Sequence, residues 1–392
     1  MSSQFRSRLT LLLFPLLFTL LFTSAAAAQN SQMHHHGAQT VAGYELLGEV
    51  TFPTGTMFQN TEVGGLSSIV YDARTGLYYA IADDRSEIND ARYYTLHIDV
   101  ADGSLDDGDV RFVRVTTILD ESGQPFATGS LDPEGIALAP RGSLFISSEG
   151  SAGATPPIDP FIKRFVRNGV QNGELVVPVK YLPDGSTVGV RNNLAFESLT
   201  ITPDGQYLVT ATENALAQDG PASDVGQESW SRILTYDLRL QRPAHEFVYV
   251  VGEVPEAPDP ADAFRTNGLV ELLPLDSSGT FLAMERAFSV GKGNTVGIYE
   301  ISLAGATDVS GYDDLYDEAT GTAVSFDPVP KTLVFDVEAD FGIAPDNLEG
   351  MTFGPTLPDG RRLLILVSDN NFNPVDQLTQ FIAVAVEVVP AR

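Results

Sequence analysis

There is no cysteine among the 392 residues. Disulfides, thiolate metal sites, cysteine nucleophiles and a lipoprotein anchor are thereby excluded. Positive charge is scarce: 23 Lys and Arg stand against 52 Asp and Glu, a formal net charge of −29. Such a field repels nucleic acid and anionic membrane surfaces and attracts cations. Of five histidines, three form the run His34-His35-His36. The strand-like surroundings of His97 and His245 suit packing or solvent better than base catalysis. No G-x-S-x-G elbow, P-loop or dinucleotide fingerprint occurs, which argues against a Ser-His-Asp hydrolase and against nucleotide chemistry. No sustained 3.6-residue apolar period is present, so helix is expected to be nearly absent.

Long apolar runs are also missing, with one exception near the start. Arg6 and Arg8 precede an apolar stretch from Leu9 to Phe22, followed by Thr-Ser and four alanines. A charged region, an apolar region and a small-residue cleavage site predict a signal peptide over residues 1–28, cut between Ala28 and Gln29. The stretch is shorter than the ~20 residues a spanning helix needs. Export to a bacterial periplasm or exterior is the expectation. Residues 29–43, with the histidine run, read as a flexible tail.

What remains is 43% hydrophobic and repetitive. Five segments share one phrase: GGLSSIVYDARTGLYYAIADD from Gly64, LDPEGIALAPRGSLFISSEG from Leu131, FESLTITPDGQYLVTATEN from Phe196, NGLVELLPLDSSGTFLAMER from Asn267 and LEGMTFGPTLPDGRRLLILVSDN from Leu348. Each is a short apolar strand, a Gly/Asp/Pro turn, a second apolar strand and an acid. Anchors at Gly64, Glu134, Glu197, Asn267 and Glu349 are spaced by 70, 63, 70 and 82 residues. Two further strands follow each of the first four hairpins: RYYTLHIDV with VRFVRVTTIL, FIKRFVRN with LVVPVKYL, SRILTYDL with HEFVYVVGEV, and TVGIYEISL with KTLVFDVEAD. Four strands per unit, repeated radially, predict an all-β fold: a single β-propeller of five blades over residues 44–392. Six blades are possible if the long fourth interval hides a degenerate one. The last unit has only QFIAVAVEVV after its hairpin. YELLGEVTF, Tyr44 to Phe52, would supply its missing strand, so that the two ends of the chain close the ring.

In a propeller the start of the inner strand and the end of the second strand share one face. Glu134, Glu197 and Glu349, with Asn267 in the fourth unit and Gly65 in the first, would therefore meet Asp83, Glu149, Glu213, Glu285 and Asp369 at one mouth. Like charges crowded there cost several kcal/mol unless neutralised. A hard divalent cation, calcium rather than zinc, is the expected neutraliser of an all-oxygen donor set. Arg85 and Arg286, which follow acid positions, are the alternative partners.

At these phrases the sequence resembles the phytase-like family of exported bacterial proteins, described as having esterase-like activity of phytase. The resemblance spans roughly Tyr44 to Val389. It implies a propeller and hydrolysis of a phosphate or carboxylate ester through calcium held by channel acids. Glu134, Glu197 and Glu349 would then be catalytic as well as metal-binding, with Arg85 or Arg286 steadying a substrate anion. Arg85, Arg286, Lys163, Arg164 and Arg191, the bases expected near this face, are few for a hexaphosphate. The leading expectation is a calcium-dependent hydrolase of small-molecule phosphate esters, monomeric and free of nucleic acid and membrane. A gluconolactonase-like lactone or carboxyl-ester hydrolase is the alternative, as is a non-catalytic binding propeller with structural calcium.

Overall fold

Each repeated phrase folds because its apolar runs are short, rich in β-branched and aromatic residues, and joined by turn residues. A computed structural model describes residues 37–317 and 322–391 of the chain. It contains five four-stranded antiparallel sheets arranged in a ring, a five-bladed β-propeller. The expected signal peptide and the histidine run lie outside the described residues.

The inner and second strands are Leu66–Asp72 with Leu77–Ala82, Pro133–Leu138 with Leu144–Ser148, Phe196–Ile201 with Tyr207–Thr212, Arg265–Pro274 with Thr280–Ser289, and Leu348–Thr356 with Arg362–Ser368. Each inner strand packs beside that of the next blade, and the fifth packs beside the first. The fifth blade is completed by Leu378–Pro390 and, outermost, by Gln39–Pro53 from the other end of the chain. That closing strand begins five residues before Tyr44, so residues 39–43 are ladder rather than tail: Gln39 pairs with Pro390 and Thr40 with Val389.

Three other expectations need correction. The fourth strand of the second blade is Gln171–Leu175, which shares only Leu175 with LVVPVKYL. That segment instead contains Pro178, which has no N–H to give a ladder, and a short 3-10 turn at Val179–Tyr181. The long fourth interval holds no sixth blade among the described residues; it carries loops and the small pair Tyr316–Asp317 with Thr322–Ala323. In KTLVFDVEAD the strand stops at Asp336, whose side chain accepts from the Ala339 N–H and caps a five-residue helix, Val337–Phe341.

The core lies between blades. Leu208 and Leu234 face the second blade with Phe145 and Ile162, whereas Val209, Ala211 and Ile233 face the fourth with Phe281 and Ala283. Alternate side chains thus bury on both sheet faces, which explains near-continuous apolar runs in place of polar alternation.

Midway down the axis sits Glu271. Its carboxyl accepts from Ser68 Oγ at 2.7 Å, from the Leu272 N–H at 2.9 Å, and from the backbone N–H groups of Leu199 and Met351. It therefore ties the inner strands of four blades. Burial pushes its pKa up to about 8 against those hydrogen bonds.

Candidate functional site

A local irregularity sets the acids. Each inner strand has a register shift, near its start in four blades, such as Leu348/Gly350 opposite Ser368/Val367, and midway along the strand at Leu269/Glu271 in the fourth. In four blades the second strand ends one residue before an acid: Asp83, Glu149, Glu213 and Asp369. The N–H of that acid donates to a carbonyl at the entrance of its inner strand. Glu149 reaches Asp132 at 3.0 Å, Glu213 reaches Ala195 at 2.7 Å, Asp369 reaches Asn347 at 3.0 Å and Asp83 reaches Gly65 at 2.8 Å. Both ends of each hairpin therefore open into one funnel of about 1440 Å³, where Glu134, Glu197 and Glu349 join them.

Two carboxylate triads form. Asp132, Glu134 and Glu149 can each place an oxygen within 4.8 Å of the others, and so can Glu149, Glu197 and Glu213. At an effective dielectric of ~20, one pair of charges at that separation repels by about 3–4 kcal/mol. Burial, reinforced by neighbouring acids, accordingly pushes Asp83 and Glu149 up to about 8 and holds Glu134, Glu197 and Asp369 well above the usual carboxylate range. Burial also raises Glu213, to about 7, and Glu349; for both, Arg286 pulls the other way.

The protein's own cations neutralise only part of this charge. Arg286 donates from Nη2 to Glu349 Oε1 at 2.7 Å and lies 3.8 Å from Glu213. Arg85 pairs with Asp132 and reaches Asn193 Oδ1 at 3.2 Å. Asp83 Oδ1 and Asp132 Oδ1 are buried with no hydrogen-bond partner. Carboxylate oxygens only, two of them unsatisfied and none countered by lysine, fit a hard divalent cation such as calcium and not a soft metal.

The fourth blade departs from expectation. Glu285 and Asn267 do not line the funnel. Glu285 accepts from Tyr249 Oη at 2.6 Å and pairs with Lys331, and Asn267 Nδ2 donates to it at 3.2 Å. The register explains this. Leu269 pairs with Glu285 just before the shift, as Leu348 pairs with Ser368, so Arg286 takes the place of Asp369. A base stands where the other blades have an acid.

In the first blade Gly65 holds a position with no room for a side chain. It has φ +65°, and a Cβ there would lie 2.1 Å from Asp83 Oδ1. Lys163 stacks on Phe161 and Phe126, Arg164 bonds Asn172, and Arg191 bonds the carbonyls of Ala215 and Gly220, so none of the three lines the funnel.

Asp132 and Asn347 were not anticipated. Asn347 Nδ2 donates to Glu349 Oε1 at 2.9 Å and to Asp369 Oδ2 at 3.3 Å. The shared spacing of Asp-Pro-Glu and Asn-Leu-Glu, two residues ahead of the inner acid, is the signal that identifies them.

The profile of the phytase-like family, described as esterase-like activity of phytase, matches residues 61–372. An uncharacterized secreted protein of Arthroderma benhamiae is 31% identical over 185 residues, covering 42% of this chain and 35% of that protein. The chain therefore spans about a third of the length of that curated relative. Likeness to solved structures is distant. An endo-1,4-β-xylanase from Bacteroides thetaiotaomicron is 12% identical with TM-score 0.43, over 84% of this chain and 97% of that one. A protein of unknown function from Dyadobacter fermentans is 12% identical with TM-score 0.39, over 90% and 88%. No helix among the described residues is long and apolar enough to cross a membrane.

Proposed function

Because this chain belongs to the phytase-like family of esterase-like activity, we propose that it is an exported, calcium-dependent ester hydrolase acting on phosphate monoesters in the acidic funnel. The observation that carries this reading is the pair of buried carboxylate triads sharing Glu149, with one orphaned oxygen on Asp132 within the first triad and another on Asp83, which also lines the funnel. Asp83, Asp132, Glu134, Glu149 and Glu197 would hold the metal, which when bound supplies positive charge for the ester oxygens and acidity for water.

Arg286 divides the site. Its guanidinium draws Glu349 and Glu213 toward itself, leaving that side of the funnel for the reacting ester. Arg286 orients a substrate oxyanion. Glu213, poised at about 7, takes at a carboxylate oxygen the proton that an attacking water loses. Asn347 fixes Glu349 and Asp369. Export rests on the charged-then-apolar pattern of residues 1–28 and on the secreted relative.

One observation favours a lactone or carboxyl ester as substrate. The two arginines deepest in the site are already committed to carboxylates, which leaves little cationic capacity for a dianionic phosphate. Hydrolysis of 4-nitrophenyl phosphate and of a simple δ-lactone, each with calcium and with excess chelator, tests both readings. Calcium-dependent turnover of the phosphate is the expected result. Turnover of the lactone alone transfers the assignment to carboxyl esters, and turnover of neither while calcium binds leaves a binding propeller.

A further inference from the structure

The fourth blade is taller than the others on the funnel side. Elsewhere the second strand stops just before the funnel acid, but in this blade pairing continues past Arg286 through Ala287–Asn267, Phe288–Thr266 and Ser289–Arg265. The Val290 N–H then donates to the Phe264 carbonyl at 3.0 Å, and the third strand follows to Gly293. At about 3.3 Å per residue, the ladder rises about 10 Å above the plane of the carboxylates.

Alternation fixes what this wall shows to the funnel. Arg286 faces inward, so Phe288, two residues on, faces the same way. Across the ladder Gly268 is opposite Arg286, and a Cβ there would lie 2.1 Å from Glu213 Oε1, so this face also looks into the funnel. Thr266 and Phe264 follow on it at two-residue steps. Arg286, Thr266, Phe264 and Phe288 all line the cavity, as do Arg265, which pairs with Asp224, and Lys292 in the turn beyond, whereas Glu285, Ala287 and Asn267 do not. The Phe264 and Phe288 rings lie 6.1 Å apart and 35° from parallel, and Phe264 is 66% exposed. An aromatic pair with Phe264 exposed and Phe288 half-buried, beside a cavity rich in acids, is unfavourable unless something apolar covers it.

We infer that Phe264 and Phe288 form the subsite for a planar ring carried by the ester's non-reacting half, so the substrate is an aryl-type monoester and not a short alkyl ester or a polyanion. This rests on the hydrolase reading for the word ester. The separation supports it: Phe288 lies about 7 Å along the strand from Arg286, roughly one ring beyond an oxyanion held by that guanidinium. The acidic funnel below disfavours further negative charge on the substrate, and the rings above favour apolar surface.

Phosphonates mimic the tetrahedral oxyanion of either ester class and are not hydrolysed, so they separate ring binding from chemistry. In calcium-containing buffer, titration calorimetry of phenylphosphonate and methylphosphonate against the full chain is expected to show about tenfold tighter binding of the phenyl compound. In Phe264→Ala that preference should fall to about threefold or less, with an unchanged melting temperature because the ring is exposed. Equal affinities in the parent protein, absence of binding by either compound, or a preference that survives Phe264→Ala and Phe288→Leu together would each overturn the subsite. Turnover of 4-nitrophenyl phosphate and 4-nitrophenyl acetate reads the other question. A ring preference without turnover keeps the subsite and removes the hydrolase, whereas turnover with no effect of Phe264→Ala does the reverse.

Discussion

Arg286 and Glu349 come from adjacent blades and meet 2.7 Å apart inside a funnel rich in acids. The guanidinium is the deepest positive charge there and serves Glu213 as well. Replacing it with methionine leaves two buried carboxylates unpaired, a change that costs about 3–5 kcal/mol when a charge is stranded. Part of that is recovered as the acids protonate. We expect Arg286→Met to melt several degrees lower and to lose at least ~100-fold in kcat/KM, measured by calorimetry and steady-state kinetics. Full activity in a stable variant would remove Arg286 from the site.

Metal removal has its own signature. At a free calcium concentration ~100-fold above Kd, binding adds about 2.7 kcal/mol to folding stability. Chelation should therefore lower the melting temperature, and Glu134→Gln should weaken calcium binding at least ~10-fold in titration calorimetry. An unaltered affinity in Glu134→Gln and Glu149→Gln alike would contradict the assigned ligands.

The metal-free protein should respond to pH in the reverse of the usual carboxylate sense. Asp83, Glu149 and Glu271 are raised to about 8 and Glu213 to about 7. Between the unfolded carboxylate range near ~4 and these values, the folded chain holds protons that the unfolded chain has released. Their contribution is complete below about pH 4 and disappears as pH rises toward 8. Urea midpoints taken in chelator should fall from pH 5 to pH 8. Saturating calcium should flatten the decline but leave the part due to Glu271, which is bonded to Ser68 and backbone, not to the triads. A metal-free midpoint that rises over this interval would contradict the buried acids.

Gly268→Ala tests the funnel without touching a charge. The added Cβ would overlap Glu213 Oε1 and Cγ at 2.1 and 2.2 Å, so Glu213 must move. An overpacked contact of this kind costs about 1–3 kcal/mol. Activity should fall ~10-fold or more with a small loss of melting temperature, and Gly268→Ala combined with Glu213→Ala should regain stability relative to the single substitution. If Gly268→Ala is indistinguishable from the parent protein in both assays, Glu213 does not occupy the catalytic position proposed for it.

The architecture was legible because propeller repeats state themselves. Five hairpin phrases at spacings of 63 to 82 residues, with one strand short at the end and one spare at the beginning, point to a closed ring and leave only the choice of five or six blades to the structure. The carboxylates of blades one, two, three and five followed from the same alignment. Blade four does not follow, because matching by residue type puts Glu285 where strand pairing puts Arg286. A one-residue offset turns a strand's side chains to the opposite face. Asp132 and Asn347 were hidden by lying before the apolar runs, and Glu271 by lying inside one, where only the convergence of four blades satisfies its carboxyl.

The joint between Gln39–Pro53 and Leu378–Pro390 makes assembly depend on order of arrival. In chain order Gln39–Pro53 comes before the four other blades and Leu378–Pro390 after them, so those blades can mature in sequence while the fifth stands half made. Until Leu378–Pro390 pairs with Gln39–Pro53 the ring is an open arc, and that one ladder seals it. Such deferred locking would postpone the acidic funnel until the ring closes, because Glu349 and Asp369 belong to the blade that closes last.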